Sequence, residues 1–165
     1  MAIRAATRRA VTGNLGALIL LSAVARTRAD PIVRFREIRV DVAPLRASAG
    51  DPTADWVEQT LPGHLSQALS AYLAPTQRNG ASLLARIVDI DFGQSGGRGG
   101  SQDSMRGVLI VGGPHAGLAA QTSLRAVAPY SPSATDQALM EEAYHARVVA
   151  LSLAFASRTQ AELGL

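Results

Sequence analysis

From residue 33 onward, apolar and polar positions follow two different periods. Residues 33–44 (VRFREIRVDVAP) alternate, with Ile38, Val40 and Val42 on one parity and Arg39 and Asp41 on the other, which predicts a half-buried strand. Ser48 to Thr53 (SAGDPT) is turn chemistry, and Asp51-Pro52 is suited to cap and open a helix. From there to about Leu73 the period lengthens: Val57, Leu61, Leu65, Leu69 and Leu73 recur every four residues, and Trp56, Ala68 and Tyr72 widen the stripe. Pro62-Gly63 predicts a kink or restart inside that helix. Pro75 and Asn79-Gly80 close it.

Three further runs read as strands. Ser82–Phe92 places Leu84, Val88, Ile90 and Phe92 on one parity and Asp89 and Asp91 on the other. Met105–Val111 is apolar on both faces, as a central strand is, and residues 118–128 alternate weakly. Gly93–Ser101 is a glycine-rich connection, expected to be mobile and dispensable for folding because ordering glycine is entropically expensive. A last helix is capped by Ser131 or Ser133, carries Leu139, Met140, Ala143, Val148, Leu151, Ala154 and Phe155 on its apolar face, and ends at Gly164.

The order is β-α-β-β-β-α. Short loops make strands two to four an antiparallel meander, and single-striped helices belong on one face of the sheet. The expected fold is therefore α+β: a two-layer sandwich with a four-stranded, mostly antiparallel sheet and two helices on one face. The expected core is Ile38, Val40, Leu65, Leu69, Val88, Ile90, Val108, Ile110, Leu151 and Phe155.

The first 29 residues change the picture. Arg4, Arg8 and Arg9 precede an apolar run of 11 residues, Leu15 to Ala25, too short for a spanning helix of about 20. Small-residue sites follow at Ala23-Val24-Ala25 and Thr27-Arg28-Ala29. This is the pattern of a cleavable signal peptide, with processing near Ala25 or Ala29 and a single periplasmic or secreted domain over residues 30–165. Thr7-Arg8-Arg9-Ala10-Val11 also resembles a twin-arginine export signal.

Charge has to be counted with that division in mind. The chain holds 16 basic residues, all Arg, against 13 acidic ones. Five Arg and no acid lie before residue 30, so the remainder has 11 basic and 13 acidic residues, a net −2. The alkaline pI near 10.2 belongs to the leader, and the argument for nucleic-acid binding goes with it. No cysteine is present for a disulfide or an acyl anchor, so the expected mature chain is soluble and has no membrane span.

Element order and export address together are similar to small envelope proteins of the lipopolysaccharide-assembly and transporter-auxiliary kind, which usually carry a lipidated cysteine that this chain lacks. The resemblance implies a non-enzymatic accessory role.

Candidate chemistry is sparse. Gly93-Gln94-Ser95-Gly96-Gly97 matches G-x-S-x-G, the turn that presents a hydrolase nucleophile, with Asp103 or Asp136 and His145 as conceivable triad partners. The helix that should follow the serine is absent. The same segment has no lysine for a P-loop, although Arg98 is placed to meet an anion or an acidic partner. His64, His115 and His145 have no metal-pair spacing. Asp89 and Asp91 project to one face and suit either a hard cation or solvent. The aromatic residues form no stacking platform for bases.

The reading is a non-enzymatic binding or assembly accessory with no cofactor and no metal. It would engage an envelope protein partner through a sheet face, a sheet edge or the 93–101 segment, with Ser95 and Arg98 as candidate binding residues. The alternatives are a serine hydrolase using Ser95 and a small-ligand carrier. Oligomeric state is not encoded legibly.

Overall fold

The chain divides into two units, Met1–Asp30 and Pro31–Leu165. In the computed structural model the described residues are 33–93, 101–113, 120–130 and 140–165, all in the second unit. The expected cleavage sites, Ser95, Arg98, His115, Asp136 and the two serine caps lie outside them.

The fold is α+β. Strand β1 (Phe35–Asp41) leads into helix α1 (Ala43–Ala49) and helix α2 (Asp51–Ala68), and a 3-10 turn follows at Ser70–Tyr72. Strands β2 (Ala81–Asp91), β3 (Ser101–Gly112) and β4 (Ala120–Tyr130) precede helix α3 (Met140–Glu162). The sheet is mixed and open, in the order β1-β2-β3-β4. β1 pairs parallel with β2 across the α1–α2 crossover, and β2-β3-β4 is an antiparallel meander.

Helix α1 was not foreseen in the sequence. It begins at Ala43 because Pro44 fits a first turn and the Asp41 carboxylate accepts the Ala43 N–H at 3.0 Å. Gly50 joins α1 to α2 at φ +84° and ψ 174°, a backbone region open essentially to glycine alone. Asp51 does not cap α2; Gly50 is the cap residue, and the Asp51 carboxylate accepts from Arg46 at 2.8 Å. The same guanidinium reaches Asp55 and Glu58, and its bonds to Asp51 and Asp55 raise its pKa above the ordinary arginine value. Helix α2 runs unbroken through Pro62, so the expected restart is absent. Its inward stripe of Ala54, Val57, Leu61 and Leu65 is completely buried.

Two bulges decide which strand residues face the helices. One lies between Phe35 and Glu37, and it brings buried Phe35 onto the same face as Ile38 and Val40. The other lies between Ile87 and Asp89. Before it, Leu83, Ala85 and Ile87 point inward; after it, Ile90 does. A bulge shifts the parity of a strand by one residue. Val88, expected in the core, is therefore 41% exposed.

Val108 and Ile110 were likewise assigned to the wrong side, because Asp103, Met105, Gly107 and Leu109 are the buried residues on the inward parity of β3, with Ser104 the buried residue on the other. Leu65, Leu69, Ile90, Leu151 and Phe155 are in the core as expected, with Ile38 and Val40 packed against it. Met140, expected on the apolar face of the last helix, is exposed.

Candidate functional site: the open face of the sheet

The three helices of the described residues contribute buried residues to one core with the inward strand residues, and among the described residues no helix covers the other face of the sheet. Register fixes what that outer face carries. Across the strands it reads Arg39, Leu84, Ile110 and Gln121 in one row, and Asp41, Arg86, Val108 and Ser123 in the next. Beyond the bulge come Asp89, Arg106 and Arg125, and then Asp91, Ser104 and Val127.

Most charges here are answered on the same face. Arg86 Nε donates to Asp41 Oδ2 at 2.8 Å, and Arg39 Nη2 to Glu37 Oε2 at 3.0 Å. Arg106 Nη2 donates to Asp89 Oδ2 at 2.6 Å. These bonds hold the Asp41 and Glu37 carboxyls below their ordinary range, chiefly through Arg86 and Arg39 respectively. The Asp89 bond raises the Arg106 guanidinium. Asp89 and Asp91 do share a face, as expected, but Asp89 is engaged by Arg106. Among the described residues no group of three potential metal ligands gathers.

Arg125 differs. It sits directly opposite Arg106 on the neighbouring strand, an arrangement that is unfavourable for like charges. Its described hydrogen bond runs from Nη2 to Ser104 Oγ at 3.3 Å, with no carboxylate among its described contacts. Beside the two arginines lies a depression of about 350 Å³, lined by Val88, Arg106, Gly107, Val108, Ser123, Leu124 and Arg125. Outward Val88, at the bulge, supplies one apolar wall. The lining contains two guanidiniums and no carboxylate.

A second cluster, on the helix side, was missed in the sequence. Arg147 on α3 makes a two-pronged bond to Asp103 on β3: Nε to Oδ2 at 2.8 Å and Nη2 to Oδ1 at 2.5 Å. Both are buried, at 9% and 1% side-chain exposure. Gly93 donates its N–H to Asp103 Oδ1 and accepts from Arg147 at its carbonyl. The guanidinium lies 4.1 Å from the Tyr130 ring centre, 4.8 Å from Phe92 and 5.2 Å from Tyr144. Hydrogen bonding to Asp103 raises the Arg147 pKa against the opposing pull of burial.

The cluster corrects one expectation: Gly93 is not part of a free loop. It is held on both sides, and a Cβ there would lie 2.6 Å from the Gln102 carbonyl oxygen. It also removes Asp103 from the conceivable triad, since both of its oxygens are bound to Arg147. His145 is exposed, with its ring centre 5.4 Å from that of Trp56 and the two planes tilted by 54°. Ser95 and Arg98, the two candidate binding residues, lie outside the described residues.

No protein-family model matches the chain, and no curated protein matches it. Among solved structures it is similar to a minor lipoprotein from Acinetobacter baumannii, with 12% identity over 78% of this chain and 95% of that one and a TM-score of 0.35. A likeness of this degree assigns no function. No helix among the described residues is long and apolar enough to cross a membrane.

Proposed function

We propose that this chain is an exported, non-enzymatic envelope protein that works as a binding or assembly accessory, engaging a protein partner through the open face of its sheet. One observation carries the reading: among the described residues no layer covers the outer face, and its depression combines outward Val88 and Val108 with the opposed pair Arg106 and Arg125. Apolar surface rimmed by polar groups is the kind of surface that partners occupy. Arginine within it suits interface chemistry, because its planar fork bonds partner carbonyls and carboxylates directionally. Export is supported by the basic start, the apolar run and the small-residue sites of residues 1–29. The non-enzymatic reading rests on the sparse candidate chemistry of the sequence, in which the G-x-S-x-G segment leads into a glycine-rich stretch and not a helix.

Site-specific photo-crosslinking in the source cell tests this. A photoreactive residue at Val108 is expected to give one discrete adduct in the envelope fraction, lost with Arg125→Glu. The same residue at Leu153, exposed on α3, is expected to give none. Absence of any adduct at Val108 overturns the open face as the binding surface.

A further inference from the structure

Helix α3 meets β3 at two places. Arg147 is bound to Asp103. Two turns further on, Phe155 reaches Gly107, where a Cβ would lie 2.9 Å from Phe155 Cζ. The spacings agree: eight residues of helix rise about 12 Å, and four residues of strand span about 13 Å. The helix therefore runs alongside β3 in the same direction, fixed at both ends of that span.

The apolar pattern of α3 does not define this placement alone. Arg147, Leu151, Phe155 and Thr159 lie four apart, on one line of the helix, and all four are buried. Sliding the helix by one turn puts Leu151 against Asp103, Thr159 at Gly107 and Gln160 at the fully buried place of Ala156. The largest change is at Asp103. In the shifted register its buried carboxylate faces leucine, a strongly unfavourable state for an unpaired charge. The glycine notch would also face threonine in place of the ring that fills it.

We propose that the Arg147–Asp103 pair and the Phe155–Gly107 notch are register keys that seat α3 on the sheet in one position, and that the pair excludes the one-turn slide. Phe92, Tyr130 and Tyr144 around the guanidinium tie the ends of β2 and β4 to the same key. The pair thus selects a conformation more than it adds stability, a role for which buried polar groups are suited.

The chain has no cysteine, so two introduced thiols can be spin-labelled cleanly. The sites are Val127→Cys on β4 and Ser157→Cys on α3, both exposed. The doubly labelled parent is expected to show one narrow distance distribution. Arg147→Met with Asp103→Asn removes both charges, while the asparagine oxygen still accepts from Gly93. This variant is expected to keep its helical signal and cooperative melting but to show a broadened or second population, displaced by several ångströms, as one turn of about 5 Å requires. A single parental distance in that variant overturns the proposal. If the double variant does not fold, Arg147→Lys decides by the same readout, because lysine keeps the charge and loses the fork. A broadened distribution then supports the key, and a parental one overturns it.

Discussion

Arg147 lies on the apolar stripe of its helix, one residue before Val148 and four before Leu151, and Asp103 shares its strand parity with Met105 and Leu109. Each charge, read singly, looks like a solvated side chain; read together, two opposite charges on core-facing positions were the available signal. Their partners sit 44 residues apart, and periodicity does not pair distant elements. Gly107 was hidden for a related reason, since only the approach of Phe155 makes its missing side chain matter. Gly107→Ala is expected to destabilise by about 1–3 kcal/mol, the usual range for overpacking. A chemical denaturation midpoint at unchanged slope measures it. The parity correction gives a paired test. Leu83→Ala is expected to cost about 2–5 kcal/mol, as for a buried leucine, whereas Val88→Ala, at an exposed position, should stay within about 0.5 kcal/mol. Equal losses for the two would return Val88 to the core.

At the scale of elements, every strand and both long helices were legible, because their periods of two and about four residues are direct imprints of backbone geometry. What period cannot supply is the choice of face where both parities are apolar. Val108, Leu109, Ile110 and Val111 offer no contrast, and in β2 the bulge after Ile87 reverses the parity midway. Helix α1 escaped notice because its seven residues make a pattern too short to register. Its ends are nevertheless fixed by local chemistry, and Gly50→Ala is expected to destabilise by about 1–3 kcal/mol through backbone strain alone, since no atom lies within 4 Å of the new Cβ. The β1–α1 junction also carries a pH dependence. The Asp41 carboxyl is held below its ordinary value by Arg86 first and by the Ala43 N–H second. A carboxyl lowered in the folded state stabilises fully above its unfolded value, about 3.9, and loses that contribution as pH falls through the lower folded value. Asp41→Asn should therefore melt below the parent at pH 7, and the gap should close as pH falls below about 4. A gap constant across that window would show that the bonds to Asp41 are energetically silent.

For the whole molecule, the open sheet face and the proposed leader are the two features with consequences outside the fold, and only the leader pattern is written locally in the sequence. The outer face emerges from the burial of the inner one, so its candidate residues, Val88, Val108, Arg106 and Arg125, could be named only once bulge and register were known. The leader requires no register. A basic start, an apolar run of 11 residues and two small-residue sites lie within 29 positions, and processing acts on that local pattern. Removal through Ala25 or Ala29 would leave a chain beginning at Arg26 or Asp30. Removal through Ala29 would also reverse the sign of the net charge, because residues 1–29 contribute five arginines and no acid. Removal through Ala25 takes away three arginines and leaves 13 against 13, a net of zero. The version beginning at Asp30 carries 11 arginines against 13 acidic residues, a net −2, in place of +3 for the full chain. That reversal makes the prediction measurable in two independent ways. Intact mass of native protein from the envelope fraction should correspond to a start at Arg26 or Asp30. In isoelectric focusing, a product starting at Asp30 should run on the acidic side, far from the value near 10.2 of the unprocessed chain. Soluble native protein that retains Met1 to Ala25 and focuses at the alkaline end would remove both the export assignment and the envelope partner that depends on it, while leaving the register keys of α3 untouched.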